Sequence, residues 1–96
     1  MAYYFSAQIS MINPEVYQQY LDEAEEIFNR FNGTYLAVDK SPKLLEGHWD
    51  YSRSVLIAFR SKADFEAWYY SIDYQRILKY RLAGARCDTI LIQGLE

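Results

Sequence analysis

The residues best suited to chemistry stand in one segment, Glu46-Gly47-His48-Trp49-Asp50-Tyr51-Ser52-Arg53, which places an acid, the only histidine, a tryptophan and an arginine within eight positions. Glu46, if desolvated among Trp49, Trp68 and the tyrosines, would have a raised pKa and could serve as a general base. His48 is the other acid–base candidate, because an imidazole titrates near neutral pH. The plainer readings are an ion pair of Glu46 with Arg53 that fixes a loop, and a solvated His48. With no second histidine and no cysteine close by, His48 has no metal-ligand spacing around it. Arg81 is the sharpest single signal. It follows Tyr74 by seven residues and Leu78 by three, on a helix side that otherwise reads apolar. Arginine is almost never buried alone, so Arg81 either pairs with Asp88 or Glu46 or binds an anion. Trp68, Tyr69 and Tyr74 occupy core positions of a helical pattern, where aromatic rings pack a core or wall a pocket. Ser52 and Ser71 lack a base at a recognisable spacing, and the four glycines are isolated, so neither a nucleophilic-serine motif nor a phosphate-cradling loop is present.

Periodicity shows what must position these residues. Residues 3–12 alternate as a strand, with Tyr3, Phe5, Ala7, Ile9 and Met11 on one side and Tyr4, Ser6, Gln8, Ser10 and Ile12 on the other. The second side is mixed and suits a wet cavity. Asn13-Pro14 starts a helix, whose stripe is Tyr17, Tyr20, Leu21, Ala24, Phe28 and Phe31. Asn32-Gly33 stops it, with Gly33 expected in the left-handed C-cap conformation. A short strand over 34–39, a polar turn at 39–43 and extended structure at Leu44-Leu45-Glu46 lead to the Arg53 segment. The following run, Ser54-Val55-Leu56-Ile57-Ala58-Phe59, is apolar on both faces and reads as the central strand. Ser61-Lys62-Ala63-Asp64 is a capping box in sequence, and Ser71 followed by Asp73 marks a break and a second helical start. The second piece runs from about Ile72 to Ala83, and residues 86–93 alternate as a last strand with Cys87, Thr89 and Leu91 opposite Asp88, Ile90 and Ile92.

Composition bounds the partners. A net charge of -3 argues against a nucleic-acid backbone as the main partner. Residues 1–50 hold eight acids and three bases, and residues 51–96 five acids and seven bases, a bias that favours an anionic ligand near the second half or steers two subunits together. Cys87 is alone, so no intrachain disulfide forms. The opening residues are not a secretory signal, no apolar run reaches the ~20 residues of a membrane span, and the expected compartment is the cytoplasm. Ten tyrosines suit subunit interfaces and small-molecule pockets.

The order is β-α-β-β-α-β, an α+β ferredoxin-like arrangement in which an antiparallel sheet carries both helices on one face. The whole chain, residues 1–96, makes one domain. The other sheet face is apolar and no element remains to cover it, so a second copy of the chain is its expected cover. Asn13-Pro14-Glu15-x-Tyr17-x-x-Tyr20, Gly33, Leu45-Glu46-Gly47-x-Trp49-x-x-x-Arg53-x-Val55, Ala67-Trp68-Tyr69-x-Ser71-x-x-Tyr74-Gln75, Arg81 and Gly94 together resemble domain-of-unknown-function family 1330. That resemblance implies a dimeric α/β barrel and leaves the reaction open, since relatives of that superfamily range from monooxygenases to ligand sensors. Where the family commonly has paired glycines this chain has Asn32-Gly33, and where it commonly has Ser-Pro-Glu-Tyr this chain has Ser71-Ile72-Asp73-Tyr74.

The resulting expectation is a homodimer with a small aromatic-walled pocket between sheet and helices in each subunit. Glu46 and His48 are its catalytic candidates; Arg53, Trp49, Trp68, Tyr69, Tyr74 and Arg81 are its ligand-binding candidates. The ligand is small and anionic or aromatic, with no metal, no tightly bound cofactor, no nucleic acid and no membrane involved. Two functions fit: enzyme-like action on a small organic acid or carbonyl compound, or non-catalytic ligand binding and regulation.

Overall fold

The computed structural model describes residues 1–96. The elements are β1 (Tyr3–Met11), α1 (Pro14–Asn29), β2 (Gly33–Asp39), β3 (Arg53–Phe59), α2 (Lys62–Tyr69), α3 (Ile72–Gly84) and β4 (Ala85–Gln93). All strand pairs are antiparallel, in the order β2-β3-β1-β4. The fold is ferredoxin-like α+β, with the second helical stretch divided at Ser71.

Local chemistry sets the boundaries. The Asn13 side chain accepts from the backbone N–H groups of Glu15 (3.2 Å) and Val16 (3.3 Å), and Pro14 loses nothing at a position whose N–H has no helical partner. Ser61 caps α2 by accepting from Asp64 N–H at 3.1 Å. Ser71 serves two helices. Its hydroxyl donates to the Trp68 carbonyl (2.7 Å) at the end of α2 and accepts from Tyr74 N–H (3.0 Å) at the start of α3. That double use turns one helical run into two.

Two expectations need correction. The left-handed residue at the end of α1 is Asn32 (φ 64°), not Gly33. Asparagine tolerates that conformation because its short polar side chain bonds locally. Gly33 is small for another reason: a Cβ there would lie 2.6 Å from Phe59 Cε1 and 3.0 Å from the Phe28 carbonyl oxygen. Leu44-Leu45-Glu46 does not resume a strand either, and residues 40–52 form a long loop without regular structure. The β2–β3 ladder instead ends after a register shift between Tyr35 and Ala37.

The helix face of the sheet holds the core, fifteen buried apolar residues centred on Trp68, which lies 4.0 Å from Tyr74, 5.0 Å from Phe59 and 5.3 Å from Phe5, ring centroid to centroid. Gly84 lets α3 approach α1, since a Cβ there would fall 2.6 Å from Tyr17 N. Its carbonyl accepts from Ile12 and Asn13 N–H (3.0 and 2.8 Å), which ties the end of α3 to the end of β1.

The opposite sheet face is uncovered. Strand alternation puts Tyr4, Ser6 and Gln8 of β1 there, beside Leu56 and Ala58 of β3 and Ile90 and Ile92 of β4. Ile90 is 60% exposed and Ile92 43%. The polar residues that read as a cavity wall lie on this open face. There Gln8 donates to Ser6 (2.9 Å) and accepts from Ser54 (2.8 Å). No helix is long and apolar enough to cross a membrane.

Candidate functional site

Three strands and two helices converge on a cluster at one end of the core. Across the helix face of the sheet, Ile9 of β1 stands between Arg53 of β3 and Cys87 of β4. From above, α1 brings Tyr17 and Tyr20, one turn apart, and α3 brings Tyr74 and Arg81, two turns apart. Tyr20 and Tyr74 join through their hydroxyls at 3.0 Å. The Arg81 guanidinium carbon lies 6.0 Å from the ring centroids of both Phe5 and Tyr20, and that of Arg53 lies 5.6 Å from the Tyr17 ring. Arg81 is only 4% exposed, and Arg53 is half-buried.

Neither arginine has a carboxylate. The ion pairs of the protein involve Arg30, Lys62, Arg76 and Arg86, never Arg53 or Arg81. Arg81 Nε and Nη1 and Arg53 Nε are buried without a hydrogen-bond partner. This corrects the expected pairing of Arg81 with Asp88 or Glu46. Alternation along β4 turns Cys87 toward the helices and Asp88 to the open face, opposite Gln8. There Asp88 meets the Tyr51 hydroxyl and Arg86 Nη1, the latter at 3.4 Å. Glu46 is exposed in the 40–52 loop, and Arg53 turns under Tyr17 instead of pairing with it.

The cluster carries two positive charges and no compensating negative one. Burial pushes the Tyr20 phenol well above its usual pKa, helped by the adjacent Tyr74 and opposed by Arg81. Burial also raises Tyr74, with Arg81 again pulling the other way. Tyr17 is raised by burial and the nearby Cys87, against the pull of Arg53 and Arg81. Cys87 is raised by burial, only partly offset by Arg81. At neutral pH the phenols and the thiol therefore stay protonated while both guanidiniums stay charged. Such a group of donors can receive an oxyanion. Its members are poor bases at that pH.

Of the sequence-derived candidates, the structure brings Arg53, Arg81 and Tyr74 into this cluster. Trp68 and Tyr69 lie at its edge, with Tyr69 5.6 Å from Tyr74. The Trp68 indole N–H is also buried without a partner. Glu46, His48 and Trp49 belong to the loop. Glu46 and His48 are exposed, while Trp49 is half-buried and packs edge-on to Tyr51 at 5.0 Å. A surface concavity of about 520 Å³ there is lined by Pro42, Lys43, Leu44, Leu45, Glu46 and Trp49. The core around Trp68, Tyr74 and Arg81 is filled, and none of the three concavities reaches it. Tyr17, Tyr20 and Cys87 join the cluster without having been singled out as site residues. The signal for the first two was the α1 stripe, which looks like ordinary core; for Cys87 it was the alternation of β4.

The model of a family described as a domain of unknown function (DUF1330) matches residues 2–95. No curated protein matches the chain. Among solved structures, a protein of unknown function from Rhodopseudomonas palustris is 18% identical with a TM-score of 0.81, over 99% of this chain and 83% of that one. The cofactor-independent oxygenase SnoaB from Streptomyces nogalater is 12% identical with a TM-score of 0.69, over 99% and 94%. A dimeric ferredoxin-like protein of unknown function from Jannaschia sp. CCS1 is 11% identical with a TM-score of 0.71, over 98% and 100%. At such identities the likeness concerns the fold.

Proposed function

The chain belongs to the DUF1330 family, and we propose that it acts as a single-domain homodimer that takes a small organic acid or carbonyl compound at Arg81 and Arg53 without a tightly bound cofactor. The observation that carries this reading is the buried Arg81 guanidinium, which has no acid beside it and two nitrogens without partners. Leaving such donors unsatisfied costs about 1–3 kcal/mol each, more for charged groups. A carboxylate admitted by displacement of the side chains that close the cluster would remove that cost, and the planar guanidinium suits it geometrically. The phenols of Tyr20 and Tyr74 add neutral donors. SnoaB supports the cofactor-free part, since this fold carries cofactor-independent chemistry there.

The homodimer rests on the uncovered sheet face, which presents Leu56, Ala58, Ile90 and Ile92 among polar residues, and on the Jannaschia protein, a dimer with the same fold. A cytoplasmic setting belongs to the same proposal, in keeping with the lone thiol of Cys87. The second reading, a non-catalytic ligand-binding or regulatory dimer, draws on one specific observation: Glu46 and His48, the acid–base candidates, are exposed in the 40–52 loop while Arg81 lies in the core. Turnover distinguishes the two readings, and binding tests both. Native mass spectrometry with added small carboxylates should give twice the 11.4 kDa chain mass with one acid retained per subunit. A protein that retains none at millimolar acid would remove the proposal.

A further inference from the structure

We infer that the concavity in the 40–52 loop binds an apolar amino acid as its zwitterion, with the side chain lying on Trp49 and the paired leucines, the carboxylate toward Lys43 and the ammonium group toward Glu46. This site is separate from the arginine–tyrosine cluster and does not rest on the reading proposed for it. Space is the first observation. The concavity measures about 520 Å³, within the usual range of small-molecule sites, and of the three it alone is lined by side chains of both signs. Apolar surface held in water is the second. Leu44 is 50% exposed and Leu45 81%, beside a half-buried Trp49 that Tyr51 supports edge-on at 5.0 Å. An amino acid side chain laid there takes both leucines and the indole out of water together.

The loop is tied down at both ends, which keeps the concavity formed before anything enters it. At its start the Asp39 carboxylate accepts from Ser41 N–H at 2.9 Å. At its end Ser52 donates its N–H to the Ile9 carbonyl (2.8 Å) and its hydroxyl accepts from Met11 N–H (3.2 Å), while Arg86 donates to the Asp50 carbonyl (2.9 Å). Between these ties Gly47, at φ 88°, makes the turn that leaves Glu46 and Trp49 lining the same concavity. The rim then selects the ligand's charge. Lys43 and Glu46 stand three residues apart, both exposed, and neither enters an ion pair of the protein. A simple carboxylate gains from Lys43 but meets Glu46 as a like charge, and a simple amine meets the reverse. A zwitterion satisfies both. Because both charges stand in water, each adds little, and the apolar body supplies most of an affinity on the order of millimolar.

The test is tryptophan fluorescence of the full chain, titrated at neutral pH and matched ionic strength with phenylalanine, phenylacetate, phenethylamine and glycine. Trp49 lines the site and Trp68 is fully buried, so a change in emission reports Trp49, and Trp49→Phe should remove it. Phenylalanine should give a saturable change, phenylacetate and phenethylamine should each bind about threefold more weakly, and glycine should give none. Lys43→Gln should lower phenylalanine to the level of phenethylamine and Glu46→Gln to that of phenylacetate, in chains that fold normally because both residues are exposed. Arg81→Met should bind phenylalanine as wild type does, which separates this site from the acid-binding reading. No saturable change with phenylalanine would overturn the inference, as would equal binding of either singly charged analogue or of glycine. An emission shift that follows protein concentration without ligand would overturn it too, in favour of a second copy of the chain filling the concavity.

Discussion

Replacing Arg81 with methionine should stabilise the ligand-free protein, contrary to the usual result of changing a buried core residue. Arg81 is 4% exposed and has no acid partner, and at neutral pH its neighbours Tyr74, Tyr20 and Cys87 are protonated, so the folded state carries a desolvated guanidinium with no ionised group beside it. For a real protein interior that penalty is several kcal/mol per ion. The unpartnered Nε and Nη1 are part of the same cost. Against it stand the contacts with the Phe5 and Tyr20 rings. At 6.0 Å each they are at the outer limit of cation–π attraction and together contribute about 1 kcal/mol. Methionine keeps an unbranched apolar stem, and its sulfur packs well beside aromatic rings. The balance is a gain of about 1–3 kcal/mol, of the size seen when buried ions give way to apolar side chains. In a chain of 96 residues each kcal/mol moves the midpoint by about 4–8 °C. Urea denaturation of wild type and Arg81→Met, in a buffer free of carboxylates and phosphate, measures it. The same variant should show no stabilisation by added acid. A variant less stable than wild type by about 2 kcal/mol would refute the reasoning, because it would mean that Arg81 contributes net stability to the ligand-free fold.

Gly84→Ala should destabilise by about 1–3 kcal/mol, since its Cβ would meet the Tyr17 backbone nitrogen at 2.6 Å and force α1 and α3 apart; the denaturant midpoint reads this directly. Ile90→Lys should leave the chain folded and send it to an 11.4 kDa monomer in sedimentation equilibrium, because Ile90 is 60% exposed on the open face and its burial in a dimer is worth about 1.5–3 kcal/mol per side chain. The pH dependence follows from the phenols. Burial raises Tyr20, Tyr74 and Tyr35 above the ordinary value of 10.0, so the unfolded chain loses these protons first. Their contribution to stability is fully present below about pH 10 and is lost as the pH climbs above it. Circular dichroism should hold steady from neutral pH to about 9, with the alkaline transition coinciding with the rise in phenolate absorbance.

Much of the architecture was legible because period and punctuation agreed. The alternation of Phe5, Ala7 and Ile9, the Asn13-Pro14 start and the Ser71 break each have a local cause, and each forms as read. The boundary at Asn32-Gly33 was misread because two residues could both serve as the left-handed one. Gly33 already opens β2 opposite Phe59, so its backbone is extended and the left-handed turn falls on Asn32. Leu44-Leu45-Glu46 was misread because its apolar pair has a strand-like look, whereas β2 and β3 already pair without it. The site was less legible. That Arg81 faces inward followed from helical spacing; that it meets phenols and a thiol rather than an acid depended on which face of β4 turns toward α3. Asp88, one of the two acids expected as partners, is turned away by that alternation, which was present in the sequence. The segment 46–53 drew attention by composition, yet only its last residue reaches the core.

The most direct test is to watch the Arg81 side chain while an acid is added. Proton–nitrogen NMR of the arginine Nε–H groups, with the Arg81 signal identified by its loss in Arg81→Met, reports on the atom that has no partner in the structure. Saturable movement of the Arg81 and Arg53 signals together on adding succinate, with the signals of Arg76 and Arg86 unmoved in their existing ion pairs, is the result expected here. An Arg81 Nε–H signal that stays in place at every succinate concentration would contradict it.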